Sequence, residues 1–128
     1  MNTYPWGYKL GVMNLTRTLM SLVVAVVALL GLSACSDAGT DAARAAISDG
    51  ATVIDVRTPA EYESGNIDGA LNIDVQAADF ADRVSELPKD DTYVVYCRSG
   101  NRSAAAIDIM TDLGFTNLID GGAYASLK

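Results

Sequence analysis

Thr92-Tyr93-Val94-Val95-Tyr96-Cys97-Arg98-Ser99-Gly100-Asn101-Arg102-Ser103 is the stretch that decides the fold. Its first five residues include two tyrosines and two valines, side chains that favour a strand. A cysteine ends the run. A short polar loop with one glycine and two arginines follows. A helix is then predicted over Ser103–Leu113, with Gly114 as its stop. A strand that stops at a cysteine and turns directly into a helix places a sulfur where unsatisfied N–H groups and the helix dipole favour negative charge. Gly100 lets the loop curl so that successive N–H groups point inward as a nest for an anion. Arg98 and Arg102 add full positive charge. Each effect lowers a thiol pKa and enlarges its thiolate fraction, and the thiolate is the nucleophile. A buried structural cysteine would not call for two arginines and a glycine in the next five residues. Sulfur or phosphate chemistry is the expectation.

Outward from this stretch, short apolar segments alternate with helical ones. Asp41–Ser48 is alanine-rich and reads as a helix, with Thr40 or Asp41 as its cap and Gly50 as its stop. Ala51–Val56 is a compact apolar strand. Thr58-Pro59-Ala60-Glu61 starts a short helix: Thr58 is the N-cap, Pro59 the first helical residue and Glu61 the capping-box partner. Gly65 ends it. Gly69–Ile73 reads as a second strand. Ala77, Phe80, Ala81, Val84 and Leu87 have the spacing of an amphipathic helix, and Pro88 follows. Asn117–Ile119 is a last strand, with Gly121-Gly122 turning out of it. The strands are apolar throughout rather than alternating, so both sheet faces are expected to be covered. That pattern argues for an α/β layered domain with a mostly parallel sheet. Ligands of such sheets bind beyond the carboxyl ends of the strands, where Cys97 lies.

The first third of the chain has a different character. Leu19–Leu32 is apolar apart from Ser21 and Gly31, and Arg17 precedes it. The run is shorter than the roughly 20 residues a spanning helix needs and ends in small residues, as an export signal does. Leu32-Ser33-Ala34-Cys35 resembles the lipobox of bacterial lipoproteins. The resemblance implies cleavage before Cys35, a lipid on its sulfur and a membrane-anchored, extracytoplasmic location in the cell envelope. The expected organisation is a signal over residues 1–34 with its start at Met13, a tether over 35–40 and one domain over 41–128. Two of the nine basic residues, Lys9 and Arg17, precede Cys35, whereas all 16 acidic residues follow it. The part after Cys35 therefore carries 7 basic against 16 acidic residues, a net charge of −9. Such a surface repels nucleic acid, and any anion site must be made locally. The chain has no histidine. That removes Ser-His-Asp and Cys-His catalysis and the usual zinc sites. With Cys35 lipidated, Cys97 is the one free thiol.

The motifs together resemble the rhodanese family of single-domain thiosulfate sulfurtransferases. Asp55-Val56-Arg57 with Glu61-Tyr62 is similar to the family's first motif, and Gly65–Ile73 to its second. Cys97–Ser103 is similar to the active-site loop, and Leu113-Gly114-Phe115 with Gly121-Gly122 to the closing segment. The likeness runs over residues 41–125, and the small exported members are the most similar. It implies a five-stranded parallel sheet with helices on both faces. It implies that Cys97 takes the outer sulfur of thiosulfate, that Arg98, Ser99, Gly100, Asn101, Arg102 and Ser103 hold the resulting persulfide, and that cyanide or a thiol removes it. No cofactor or metal is implied. Arg102 is the first candidate for the donor's oxygens and Arg98 the second. Asp55, Arg57 and Glu61 are expected to brace the domain, with Arg57 paired to Glu61 or Glu63. Two positions depart from the family: Asn66 stands where histidine is usual, and Ser126 where an aromatic residue is common. Two other readings stand beside the sulfurtransferase. A cysteine phosphatase or arsenate reductase of related fold is opposed by the loop length, four residues between Cys97 and Arg102 where phosphatases have five. A membrane-tethered rhodanese-like binding module is opposed by the presence of Cys97.

Overall fold

The computed structural model describes residues 37–128. The signal, its start at Met13 and Cys35 lie outside the described residues. The described residues form one compact unit. In chain order its elements are α1 (Asp37–Ser48), β1 (Thr52–Asp55), α2 (Pro59–Glu63), β2 (Leu71–Asn72), α3 (Phe80–Ser85), β3 (Thr92–Cys97), α4 (Asn101–Asp112), β4 (Asn117–Ala123) and α5 (Tyr124–Leu127). The strands pair in the order β2-β1-β3-β4, and every pairing is parallel.

The apolar strands are explained by cover on both faces. Tyr93, Val95 and Cys97 of β3 point into one cluster with Ile54, Val56, Phe80, Val84, Ala106, Met110 and Phe115, beneath α3 and α4. Val94 and Tyr96 point the other way, toward Ala43, Val53, Ala70 and Leu127, beneath α1 and α5. This is the two-sided burial expected of a parallel sheet. Four strands are present among the described residues, not the five that the resemblance implied. The four coincide with the four apolar extended runs of the sequence, and the segments between them form helices and turns.

Several boundaries move for identifiable reasons. The 35–40 tether is in part helix, because α1 begins at Asp37, four residues before the expected start. α1 is held to the far end of the domain by the Arg44 guanidinium, which donates to the Ser126 carbonyl. The helix expected over Ala77–Leu87 shortens to Phe80–Ser85, with Ala77–Asp79 forming a turn that closes on the Phe80 N–H to Ala77 O bond. α4 starts two residues before Ser103, and Arg102 therefore lies in its first turn. Gly121-Gly122 does not turn out of the last strand but extends it. A bulge in the β3–β4 ladder pairs Val95 with Asp120 and Tyr96 with Gly122, leaving Gly121 as the extra residue. A Cβ on Gly121 would lie 3.0 Å from Leu127 Cδ1, 3.1 Å from Val94 Cγ1 and 3.2 Å from Tyr96 Cβ. Only glycine fits there without displacing the core.

Arg57 is buried, and its partner is Asp55 rather than Glu61 or Glu63. Its Nη2 donates to Asp55 Oδ2 at 2.7 Å and its Nε to Oδ1 at 3.0 Å. Nη2 also reaches the Gly65 carbonyl at 2.7 Å. The Tyr96 hydroxyl donates to Asp55 Oδ2 at 2.7 Å. The guanidinium lies 4.4 Å from the Tyr124 ring centroid and 5.5 Å from that of Tyr96. The hydrogen bonds from Arg57 to Asp55 outweigh burial and raise the Arg57 pKa, while burial first and then Asp55 push the Tyr96 phenol up. Breaking such a pair strands a buried charge. Asp55→Ala should therefore destabilise the domain by about 3–5 kcal/mol, read from urea unfolding. A loss below about 1 kcal/mol, the range of exposed ion pairs, would show that the pair does not brace the fold.

Candidate active site

β3 is a central strand, and it delivers Cys97 to the carboxyl edge of the sheet with no exposed surface. A thiolate there must find donors within the protein. Gly100 supplies the turn that provides them: it is the N-cap of α4 and has φ +100°, a backbone region that favours glycine. Its own N–H donates to the Cys97 sulfur at 2.9 Å. Burial pushes the Cys97 thiol up. The backbone N–H groups of Ser103, Gly100 and Ser99, with the Ser103 hydroxyl, more than offset this, and the net pKa is lowered. The loop is thus an anion nest opening onto a helix N-terminus.

Arg98 and Ser99 are exposed above the buried sulfur. Among the described residues Arg98 makes no ion pair or hydrogen bond. Arg102 is different. Its Nη1 and Nη2 each lie 2.8 Å from a Glu61 carboxylate oxygen, Oε2 and Oε1 respectively, in a two-pronged contact. The sequence-based expectation that Arg102 takes substrate oxygens thus meets a guanidinium whose two terminal nitrogens are already engaged. Its charge still acts near the sulfur: Glu61 first, then the charges of Cys97 and Asp74, raise the Arg102 pKa against burial.

Glu61 has two structural tasks. The Thr58 N–H donates to its Oε2 at 3.1 Å, and the Glu61 N–H donates to Thr58 Oγ1 at 3.3 Å, closing the capping box of α2. The same carboxylate holds Arg102 across the loop. The first task is legible from Thr58-Pro59-Ala60-Glu61; the second joins residues 41 positions apart and has no local signal. Asp120 also escapes a sequence reading. Its Oδ1 lies 2.8 Å from Ser103 Oγ and accepts the Gly122 N–H at 2.8 Å. Asn66, at the departure from histidine, donates its side-chain amide to the Tyr62 carbonyl at 3.2 Å, a contact within the α2 turn. Asn101 is exposed on the first turn of α4. Among the described residues no cluster of three His, Cys, Asp or Glu side chains could hold a metal.

A cysteine at the end of a central parallel strand, nested on a helix N-terminus, is accompanied by a sequence match to the rhodanese-like domain family over residues 40–125. This chain belongs to that family. The rhodanese-like domain is 33% identical over 74 residues to the thiosulfate sulfurtransferase PspE of Escherichia coli, covering 58% of this chain and 71% of PspE. Another curated relative is longer, and the chain spans only 20% of it. Among solved structures it is similar to a rhodanese with anions from E. coli, at 32% identity and a TM-score of 0.51, over 59% of this chain and 88% of that one. It is also similar to the human single-domain sulfurtransferase TSTD1, at 32% identity and a TM-score of 0.53, over 65% and 86% of the two chains. The α/β fold expected from the sequence is thereby established, and its relatives include sulfurtransferases such as PspE and TSTD1.

The Glu61–Arg102 contact carries a pH signature. Arg102 is the main cause, aided by Thr58 and opposed by burial, of a Glu61 pKa lowered from 4.5 to about 2. A carboxylate with a depressed folded pKa adds stability that is present above its unfolded pKa and is lost as pH falls through the folded value. The rhodanese-like domain should therefore lose stability between pH 4.5 and about 2. Glu61→Gln should be less stable above this window and flatter across it. Urea midpoints measured through the window check this; the same slope in both proteins would refute it.

Proposed function

We propose that the protein is a thiosulfate sulfurtransferase that works through a persulfide on Cys97. The observation that carries this reading is the Cys97 sulfur itself, held by inward-facing N–H groups in a loop with four residues between it and Arg102. Such a loop is small for a tetrahedral phosphate ester and large enough for one added sulfur atom. In the first step the Cys97 thiolate attacks the outer sulfur of thiosulfate. The Cys97–S bond forms, the bond to the sulfonate breaks, and its electron pair leaves with sulfite. A Cys97 persulfide anion remains. In the second step cyanide or a thiolate takes the terminal sulfur, releasing thiocyanate or a new persulfide and restoring the Cys97 thiolate. Charge and atoms balance in each step. Sulfite leaves as a stable anion, and no general acid is needed in a chain without histidine.

Arg98, exposed and without a partner among the described residues, is the first contact for the donor's oxygens. Arg102 supplies charge from behind while Glu61 fixes its position. A net charge of −9 after Cys35 repels a dianion in bulk, which makes the local cation at Arg98 the more important. The apolar run Leu19–Leu32 and the segment Leu32-Ser33-Ala34-Cys35 support export and a lipid on Cys35, placing the enzyme at an envelope membrane. Cys35→Ser should then release the protein from the membrane fraction.

Incubation of the full chain with thiosulfate should add one sulfur atom to the Cys97 peptide, and cyanide should remove it. No gain, or the same gain elsewhere in Cys97→Ser, would overturn the reading. Arg98→Ala should raise KM for thiosulfate about tenfold, as loss of one charge-assisted contact would, with a smaller change in kcat. An unchanged KM would remove Arg98 from donor recognition. Hydrolysis of a chromogenic phosphate ester by the wild type, abolished by Cys97→Ser, would favour phosphoryl chemistry instead.

A further inference from the structure

The Glu61 carboxylate is fixed beside the Cys97 loop from the α2 side, independently of Arg102. The Thr58 N–H and hydroxyl both donate to its Oε2, each at 3.1 Å, and the capping box holds the turn that carries it. Arg102, in the first turn of α4, closes on both carboxylate oxygens at 2.8 Å. The two side chains are only 25% and 26% exposed, so salt screens the pair less than it would an open one. A guanidinium has five N–H groups, and two of them meet Glu61. Arg102 keeps others that an oxyanion could use. What Glu61 takes from the site is net positive charge.

The charges around the loop are matched before any donor arrives. Arg98 and Arg102 supply two positive charges, and the Cys97 thiolate and Glu61 supply two negative ones. Asp120, 2.8 Å from Ser103 Oγ, and Asp74, which acts on Arg102, add more negative charge. The backbone nest also favours an anion, but its Gly100 N–H is directed at the Cys97 sulfur. A donor with two negative charges therefore meets no surplus cation, and Glu61 opposes each of its charges. A donor with one negative charge is opposed half as much.

We propose that Glu61 is a specificity-determining residue: by neutralising Arg102 it turns the site away from dianionic thiosulfate and toward sulfane-sulfur donors with a single negative charge, the class of organic thiosulfonates. The Cys97 thiolate attacks the outer sulfur of the thiosulfonate. The Cys97–S bond forms, the bond to the sulfonyl sulfur breaks, and its electron pair leaves with a sulfinate. Two single negative charges enter the step, and two leave it, on the persulfide and the sulfinate.

This selectivity rests on the sulfurtransferase reading, and one set of assays separates the two. The full chain is given thiosulfate or methanethiosulfonate with saturating cyanide, and kcat/KM for each donor is measured from thiocyanate formed. The ratio of the two values cancels any change in the amount of folded enzyme, so a merely structural effect does not move it. Glutamine retains the capping box and loses the charge. Glu61→Gln should raise the thiosulfate-to-methanethiosulfonate ratio about three- to tenfold at low salt, the scale of one unit-charge interaction at about 8–10 Å between the protein and water limits. The rise should shrink in about 1 M salt, where the Debye length is about 3 Å. Arg102→Gln should lower the ratio, and the double variant should return it toward the wild-type value. An unchanged or lower ratio in Glu61→Gln overturns the proposal. So does a rise that high salt leaves intact, which would mark a change of shape instead of charge. If Glu61→Gln does not fold, a ratio that fails to fall in Arg102→Gln overturns it. Transfer from neither donor in the wild type overturns the sulfurtransferase reading and the selectivity with it; transfer with an unmoved ratio overturns the role of Glu61 alone.

Discussion

A sulfur anion buried at the end of a central strand needs donors, and the architecture around Cys97 follows from that need. Water is excluded from the sulfur, so the compensation must come from the backbone. A helix N-terminus offers several N–H groups within one turn, but only if the chain reverses sharply between strand and helix. Gly100 makes the reversal at φ +100°. The end of β4 then packs close: the Gly122 Cα would lie 3.7 Å from a Cβ on Gly100. The loop is fixed on its other side by the Glu61–Arg102 contact. Strand, turn, bulge and ion pair are all parts of one solution to holding a negative sulfur out of water.

The carboxylates around this site do different work according to what they touch. Glu61 is bound to a guanidinium and to a helix cap, and its charge is largely spent there. Asp120 touches a hydroxyl and a backbone N–H. Asp55, beside Tyr96 on the neighbouring strand, accepts the Tyr96 hydroxyl and neutralises a buried arginine. In a strongly acidic chain, assigning each acid to a named partner is what separates the site from the general surface charge.

The fold was largely readable because its signals are local. The apolar runs at 51–56 and 92–96, the capping box at Thr58–Glu61 and the glycine stops each declare themselves within a few residues. Cys97 and Gly100 were readable for the same reason, since the nest is built from consecutive N–H groups. Arg57 was expected to pair with Glu61 or Glu63; Asp55, two residues before it, holds it instead, and Glu61 is committed to Thr58 and Arg102. Other contacts escaped because they are non-local. The Ser103–Asp120 contact depends on the β3–β4 register, which no local pattern encodes. The start of α1 at Asp37 was hidden by a polar composition that suits a tether as well as a helix end.

The bulge at Gly121 has a consequence for how the chain can vary. A strand of regular pitch advances about 3.3 Å per residue, and successive side chains alternate faces. Asp120 serves the loop on one face. Three positions beyond the extra residue, Tyr124 lies against the buried Arg57 beneath the other. Removing a residue between them would slide one of the two by a full step, so that either Ser103 loses its partner or Arg57 loses its aromatic cover. Substitutions elsewhere in β4 change only what a side chain offers. A change of length here alters phase, and the segment from Asp120 to Tyr124 should therefore be far less tolerant of insertion or deletion than of replacement.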